Sequence, residues 1–175
     1  MAKIYLNSRT SKIGRNETVR IAEMALRWCR RHLGINKRKQ YKPIWSIRKS
    51  SEWTKHTNGE YDPVDNEILV YWDNCDTIGE LIRTCIHEWT HQLQPILTRY
   101  GKYTDYRTNP YEVEALQFET RYTPVCWQDI KEKVNKSYGS SNTKAKRSRS
   151  SSNAKDKKDE GRKAKVRSRK RAGRV

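Results

Sequence analysis

The sequence lacks most features that mark secreted or membrane proteins. Its 175 residues are 34% hydrophobic and include a single phenylalanine. No apolar stretch approaches the length of a membrane span, and the N-terminal residues lack the apolar core of a secretory signal. These absences predict an intracellular protein without a membrane segment. The length and apolar content allow one modest domain with a tail, but not two full cores.

Cysteine is also scarce, and its spacing excludes two common uses. None of the four cysteines forms a CxxC pair, so the chain has neither a zinc ribbon nor a thioredoxin-like motif. Cys29 and Cys85 fall on the apolar faces of predicted helices, where a thiol acts as a small buried hydrophobe. We therefore expect reduced cysteines.

Charge divides the chain into two parts. Residues 1–130 carry a net charge of +4 and residues 131–175 a net charge of +14. From Lys136 onward the chain has no Trp, Phe, Ile or Leu, so it cannot bury enough apolar area to offset its ordering entropy. The composition predicts one folded domain over residues 1–130 and a disordered Lys/Arg/Ser-rich tail over 131–175.

A tail of this charge predicts a polyanionic partner. Residues 137–175 would neutralise several phosphates and bind nucleic acid or another polyanion with little sequence preference. A solubilising tail and an anchor for an acidic protein are the alternatives. The tail lacks the interleaving of basic and aromatic residues that base stacking needs. Within the cell, the tail therefore favours a location on nucleic acid or in a virion.

The periodicity of the first domain predicts an α+β fold. We expect a helix over Glu17–Leu33, capped by Asn16 and ended by Gly34. Strands are predicted at Ile44–Arg48, at Glu52–His56 before a turn at Asn58-Gly59, and most strongly at Asn66–Trp72. Together these strands predict a short mixed sheet that precedes the central motif of the chain.

That motif is His87-Glu88-Trp89-Thr90-His91, which matches HExxH. Histidines four residues apart stand on one face of a helix, so both imidazoles can reach one metal ion, and the glutamate can reach water on that metal. A capping box of Thr77 and Glu80 opens the helix and Pro95 ends it. The apolar positions of the helix face the core. Both histidines lie on the opposite side, where they would line a cleft.

A third ligand is expected downstream of the motif. Asn109 and Pro110 suit the cap and first position of another helix. Glu112 and Glu114 point in different directions on it, so only one of them is expected to reach the metal. We favour Glu112, since a small alanine on its face lets two helices approach closely. Glu114 remains the alternative, because Asn-x-x-Glu is also a capping-box spacing.

The two motifs together resemble the gluzincin branch of zinc metallopeptidases, in particular short single-domain members from bacteria and phages. The resemblance covers Glu67 to Arg121 and implies a minimal zincin-like fold that binds Zn²⁺. It implies that His87, His91 and Glu112 are the zinc ligands and that Glu88 is the catalytic base. Some relatives carry Asp or Asn where this chain has Leu116, so support for a histidine must come from elsewhere, with Glu119 one candidate.

The resemblance implies hydrolysis of a peptide or protein substrate by metal-activated water. The alternative is a non-enzymatic nucleic-acid-binding or virion-associated protein whose HExxH helix is structural or degenerate. A side-chain donor to the transition state is expected between the two helices. The candidates are Tyr100, Tyr103, Tyr106, Arg107 and Tyr111.

Overall fold

The computed structural model describes residues 3–39, 41–95 and 107–139. Within these ranges the fold is α+β, as the sequence predicts, with four helices and a three-stranded mixed sheet. The elements are α1 Thr10–Ile13, α2 Arg15–His32, β1 Ile44–Arg48, β2 Gly59–Asp62, β3 Glu67–Tyr71, α3 Ile78–Leu93, and α4, residues 110–139. No helix in the described part is long and apolar enough to cross a membrane.

The chain divides into two compact units. The first is Ile4–Asn135, and the second comprises Met1–Lys3 and Lys136–Val175, of which Lys3 and residues 136–139 are described. In the first unit, the backbone N–H of Ile4 donates to Asn135 Oδ1 at 2.7 Å. The boundary predicted after residue 130 lies within α4. The predicted disordered tail lies outside the described residues apart from its helical stretch up to residue 139.

The three strands are ordered β1-β3-β2, with β1 parallel and β2 antiparallel to β3. The predicted strands at Ile44–Arg48 and Asn66–Trp72 are confirmed to within a residue. The strand predicted at Glu52–His56 and the turn at Asn58-Gly59 are wrong, since Gly59 begins β2. Residues 51–57 form turns instead, because Thr54 Oγ1 accepts the backbone N–H of Ser51 and offers this segment a local bond in place of a ladder.

The start of α2 also differs from the prediction. The cap is Gly14 and not Asn16, because the short helix α1 ends at the same glycine. The φ of +92° at Gly14 suits a residue without Cβ, and its carbonyl accepts both the backbone N–H and the hydroxyl of Thr18. The end of α2 is as expected: the helix stops at His32 and Gly34 has a φ of +79°.

Helix α3 carries the HExxH motif and begins where the sequence predicts. Thr77 Oγ1 accepts the backbone N–H of Glu80 at 3.2 Å, and the Glu80 carboxylate reaches back to the N–H of Asp76. The N–H groups of Ile78 and Gly79 donate to the carbonyls of Ser8 and Leu6. The N-terminal segment therefore satisfies the first turn of the helix and fixes its direction.

The core lies between α2, the sheet and the inner face of α3. The fully buried side chains there include Ile21, Leu26, Trp28, Ile68, Val70, Ile78, Leu81, Ile82, Ile86 and Trp89. All four cysteines are free and buried, as expected for Cys29 and Cys85. Burial, the main cause, raises the pKa of Cys75 and Cys126 to about 12, so both remain protonated thiols at neutral pH.

Candidate metal centre

Helices α3 and α4 bring His87, His91 and Glu112 together. The Nε2 atoms of the two histidines are 3.1 Å apart. One carboxylate oxygen of Glu112 lies 3.3 Å from His87 Nε2, and the other lies 3.6 Å from His91 Nε2. Asn109 caps α4, as predicted, because its Oδ1 accepts the N–H of Tyr111. Glu112 therefore sits in the first turn of α4 and faces α3.

These three side chains could hold a metal ion. Bond lengths of about 2.0–2.2 Å in a tetrahedral zinc site place the donor atoms about 3.3–3.6 Å apart. The observed separations of 3.1, 3.3 and 3.6 Å are close to that range. His91 and Glu112 are only 5% and 7% exposed. The donors are thus gathered at metal-binding distances, and the side chains of His91 and Glu112 are buried.

The other nitrogen of His87 has a carboxylate partner. Its Nδ1 lies 3.2 Å from Glu119 Oε2, two helical turns after Glu112 on α4. Glu119 thus occupies the supporting position that the sequence left open because of Leu116. Such partners fix the tautomer and the ring orientation of a ligand histidine. Leu116 itself is 40% exposed and lines the neighbouring cleft.

His91 is oriented by a residue that the sequence did not reveal. Its Nδ1 lies 2.9 Å from Gln94 Oε1, and the amide Nε2 of Gln94 donates to the carbonyl of Tyr111 and to Glu114 Oε2. Glu114 is therefore placed behind His91 and not beside the donor atoms. The spacing of three residues between His91 and Gln94, at the end of a helix, was the available signal.

The electrostatics of the cluster favour positive charge at His87. Burial by itself lowers the pKa of His87, but its bonds to Glu112 and Glu119 outweigh burial and raise that pKa to about 10. The neighbouring Glu88 is 7% exposed, and burial raises the pKa of its carboxyl to about 7, against the opposing effect of both histidines. A pKa near neutrality is suited to a group that accepts and returns a proton.

A cleft of about 820 Å³ opens over the cluster. His87, Glu88 and His91 line it from α3, Glu112 and Glu119 from α4, and Gly59, Glu60 and Tyr61 from β2. The histidines thus face a cleft, as predicted. Of the candidate donors to a transition state, Tyr100, Tyr103 and Tyr106 lie outside the described residues. Arg107 and Tyr111 are described, but neither lines the cleft.

Strand β2 packs closely against α3 at Gly59. A Cβ atom on Gly59 would lie 2.7 Å from Thr84 Cγ2 and 2.8 Å from Glu88 Cγ, which is closer than real contacts allow. Glycine is therefore required here to leave room for the Glu88 side chain.

We expect Gly59→Ala to displace Glu88 while leaving the histidines in place. Misplacing a reacting group by about 1 Å can cost about 10²-fold in rate, so any hydrolysis that depends on Glu88 should fall by that order while metal content is unchanged. Gly79→Ala is the control, because its Cβ would meet Leu6 and no group of the site. Equal activity of both variants would show that the close approach does not control Glu88.

Comparisons of the chain with protein-family models, with curated proteins and with solved structures found no match. The grouping of His87, His91 and Glu112 therefore rests on the geometry of this chain. That geometry identifies a candidate metal centre.

Proposed function

We propose that this chain is a zinc-dependent peptidase of the gluzincin type. His87, His91 and Glu112 hold the metal, and Glu88 is the general base. The observation that carries this proposal is the buried set of donor atoms, which lie 3.1 to 3.6 Å apart, with the Glu88 carboxylate in the same cleft. A structural zinc site would be closed by four protein ligands, whereas three ligands beside a cleft are typical of catalytic sites.

Zinc suits this donor set better than calcium or magnesium do. Two imidazole nitrogens favour a borderline metal, while the hard cations prefer oxygen ligands. His87, His91 and Glu112 would hold the zinc, which would supply Lewis-acid chemistry and would lower the pKa of a bound water. Glu119 and Gln94 would hold the two rings in the required orientation, because each contacts the nitrogen that faces away from the cluster.

Glu88 would move the proton during hydrolysis. Its carboxylate accepts a proton from water as that water attacks the peptide carbonyl, and returns it to the amine nitrogen as the C–N bond breaks. The pKa of Glu88 is raised to about 7, so its carboxylate and the attacking water would differ little in proton affinity. An extended substrate has a suitable neighbour in β2, since this strand lines the cleft and lies at an edge of the sheet.

Removal of the metal tests the proposal. We expect the purified full chain to contain about one zinc ion per chain and to cleave a peptide library. Dialysis against a chelator should abolish cleavage, and zinc, but not magnesium, should restore it. Zinc should also raise the melting temperature of the stripped protein, since a ligand of the folded state stabilises it. A chain that binds no stoichiometric zinc would contradict the proposal.

The basic tail supports a second, compatible function. We propose that residues 137–175 tether the enzyme to nucleic acid or another polyanion, because they contain 15 Lys+Arg against 3 Asp+Glu, a net charge of +12. Deleting residues 140–175 should sharply weaken salt-dependent binding to DNA and leave peptide cleavage unchanged. If the chain is instead a non-enzymatic nucleic-acid-binding or virion-associated protein, the same deletion should remove its binding to nucleic acid. Substitution of Glu88 should then leave that binding unchanged.

A further inference from the structure

A second concave surface lies where α2, α4 and β1 meet. This groove has a volume of about 620 Å³ and shares no lining residue with the cleft of the metal centre. All its lining residues belong to the unit Ile4–Asn135. The proposed peptidase function does not use this surface, so its chemistry requires a separate explanation.

Four cations surround the groove. Arg27, Arg30 and Arg31 lie on one face of α2 at i, i+3 and i+4, and Lys133 faces them from α4. All four are exposed, and no described carboxylate lines the groove. Glu23 contacts Arg27 at 3.5 Å, but this exposed pair is screened by water. The groove therefore keeps a positive charge that an anionic ligand would neutralise.

The floor of the groove is apolar and includes an indole ring. Met24, Ile130 and Trp45 line it between the cations. The Trp45 ring packs against the fully buried Trp89, with centroids 6.0 Å apart and planes inclined by 57°. Trp89 therefore supports the Trp45 indole from the core, while Trp45 itself is half-buried and lines the groove.

We propose that this groove binds single-stranded nucleic acid. Its phosphates would contact Arg27, Arg30, Arg31 and Lys133, and a base would stack on Trp45. Positively charged grooves with aromatic platforms are the usual solution for single strands, and guanidinium groups match phosphate oxygens in bidentate pairs. Arg27 lies about 4.5–6 Å along the helix axis from Arg30 and Arg31, so Arg27 and the Arg30/Arg31 pair can contact neighbouring phosphates of one strand.

The indole ring in the floor of the groove favours single-stranded nucleic acid over other polyanions. An acidic peptide without aromatic residues could neutralise the arginines but offers no flat ring to Trp45, and a membrane surface cannot enter a groove between two helices. The tail, by contrast, supplies charge with little aromatic content. The groove therefore adds base stacking to the electrostatic binding proposed for the tail.

Cross-linking of the full chain locates the contact directly. The probe is an oligothymidylate that contains bromodeoxyuridine, which is irradiated in the complex and followed by mass spectrometry of the digested protein. We expect cross-links on the peptide that contains Trp45, besides any on the tail. Cross-links confined to residues beyond 136 would overturn the proposal.

Variants of the full chain test the energetics. Neutralising Arg27, Arg30 and Arg31 with glutamine should reduce the slope of log K against log salt by about 2, whereas the same change at the exposed Lys37, Arg38 and Lys42 should alter it less. Trp45→Ala should weaken binding on the order of tenfold, and Trp45→Phe should restore it. Equal slopes for the two triple variants, or stronger competition by polyglutamate than by oligothymidylate, would contradict the proposal.

Discussion

The Glu88→Gln variant is expected to bind zinc as the unmodified chain does and to hydrolyse peptides about 10²–10⁴-fold more slowly. Glutamine keeps the shape of the side chain and so fits beneath Gly59, but it cannot accept a proton. Glu88 is absent from the group of three donors, so its loss leaves the metal site intact. The measurements are kcat/KM on a peptide substrate and metal content by elemental analysis.

A matched control distinguishes proton transfer from a general loss of charge. Glu60 lines the same cleft from β2 and is exposed. Glu60→Gln therefore removes the same charge from the cleft without removing the base. We expect it to change kcat/KM far less than Glu88→Gln does. Full activity of Glu88→Gln would eliminate the proposed mechanism, and the alternative of a structural HExxH helix would then be preferred.

Zinc content should separate Glu112 from Glu114. Among the described residues, Glu112 is the carboxylate that lies beside both histidine Nε2 atoms, so we expect Glu112→Ala to lose stoichiometric zinc from the purified protein. Glu114→Ala removes a partner of Gln94, which only orients His91, and the protein should still bind about one zinc ion per chain. The two variants remove the same side chain from neighbouring positions of α4, so each is the control for the other.

Thermal denaturation provides a second measurement of the same contrast. Added zinc should raise the melting temperature of Glu114→Ala and leave that of Glu112→Ala unchanged, since only a metal bound to the folded state stabilises it. The reverse pattern would show that Glu114 is the third ligand. If neither variant lost zinc, the metal would be bound elsewhere.

The features of α3 were accessible from the sequence because they are local. Its cap, its length and the positions of both histidines follow from a repeat of 3.6 residues and from the reach of one threonine side chain. The mixed sheet and its strands at Ile44–Arg48 and Asn66–Trp72 follow from short β-branched runs. The strand predicted at Glu52–His56 was wrong. The Thr54 hydroxyl accepts the backbone N–H of Ser51, and this local bond replaces the ladder of a strand.

Contacts between elements could not be read from the sequence in the same way. The partners of His87 and His91 depend on how α3 and α4 pack, and a sequence does not give that angle. The sequence analysis predicted the start of α4 but no end for it, and Pro124 interrupts the pattern of this helix. Yet Cys126, Ile130 and Val134, spaced four residues apart, are all buried, and this face compensates for the one hydrogen bond that proline removes.

The bond between the backbone of Ile4 and the side chain of Asn135 brings the two ends of the first unit together. This unit is therefore a natural candidate for circular permutation. A short linker could join its ends, and new termini could be opened at an exposed turn such as the one at Trp53, which is 96% exposed. The order of α3 and α4 along the chain would stay the same, and the metal centre would be carried by a protein with different termini.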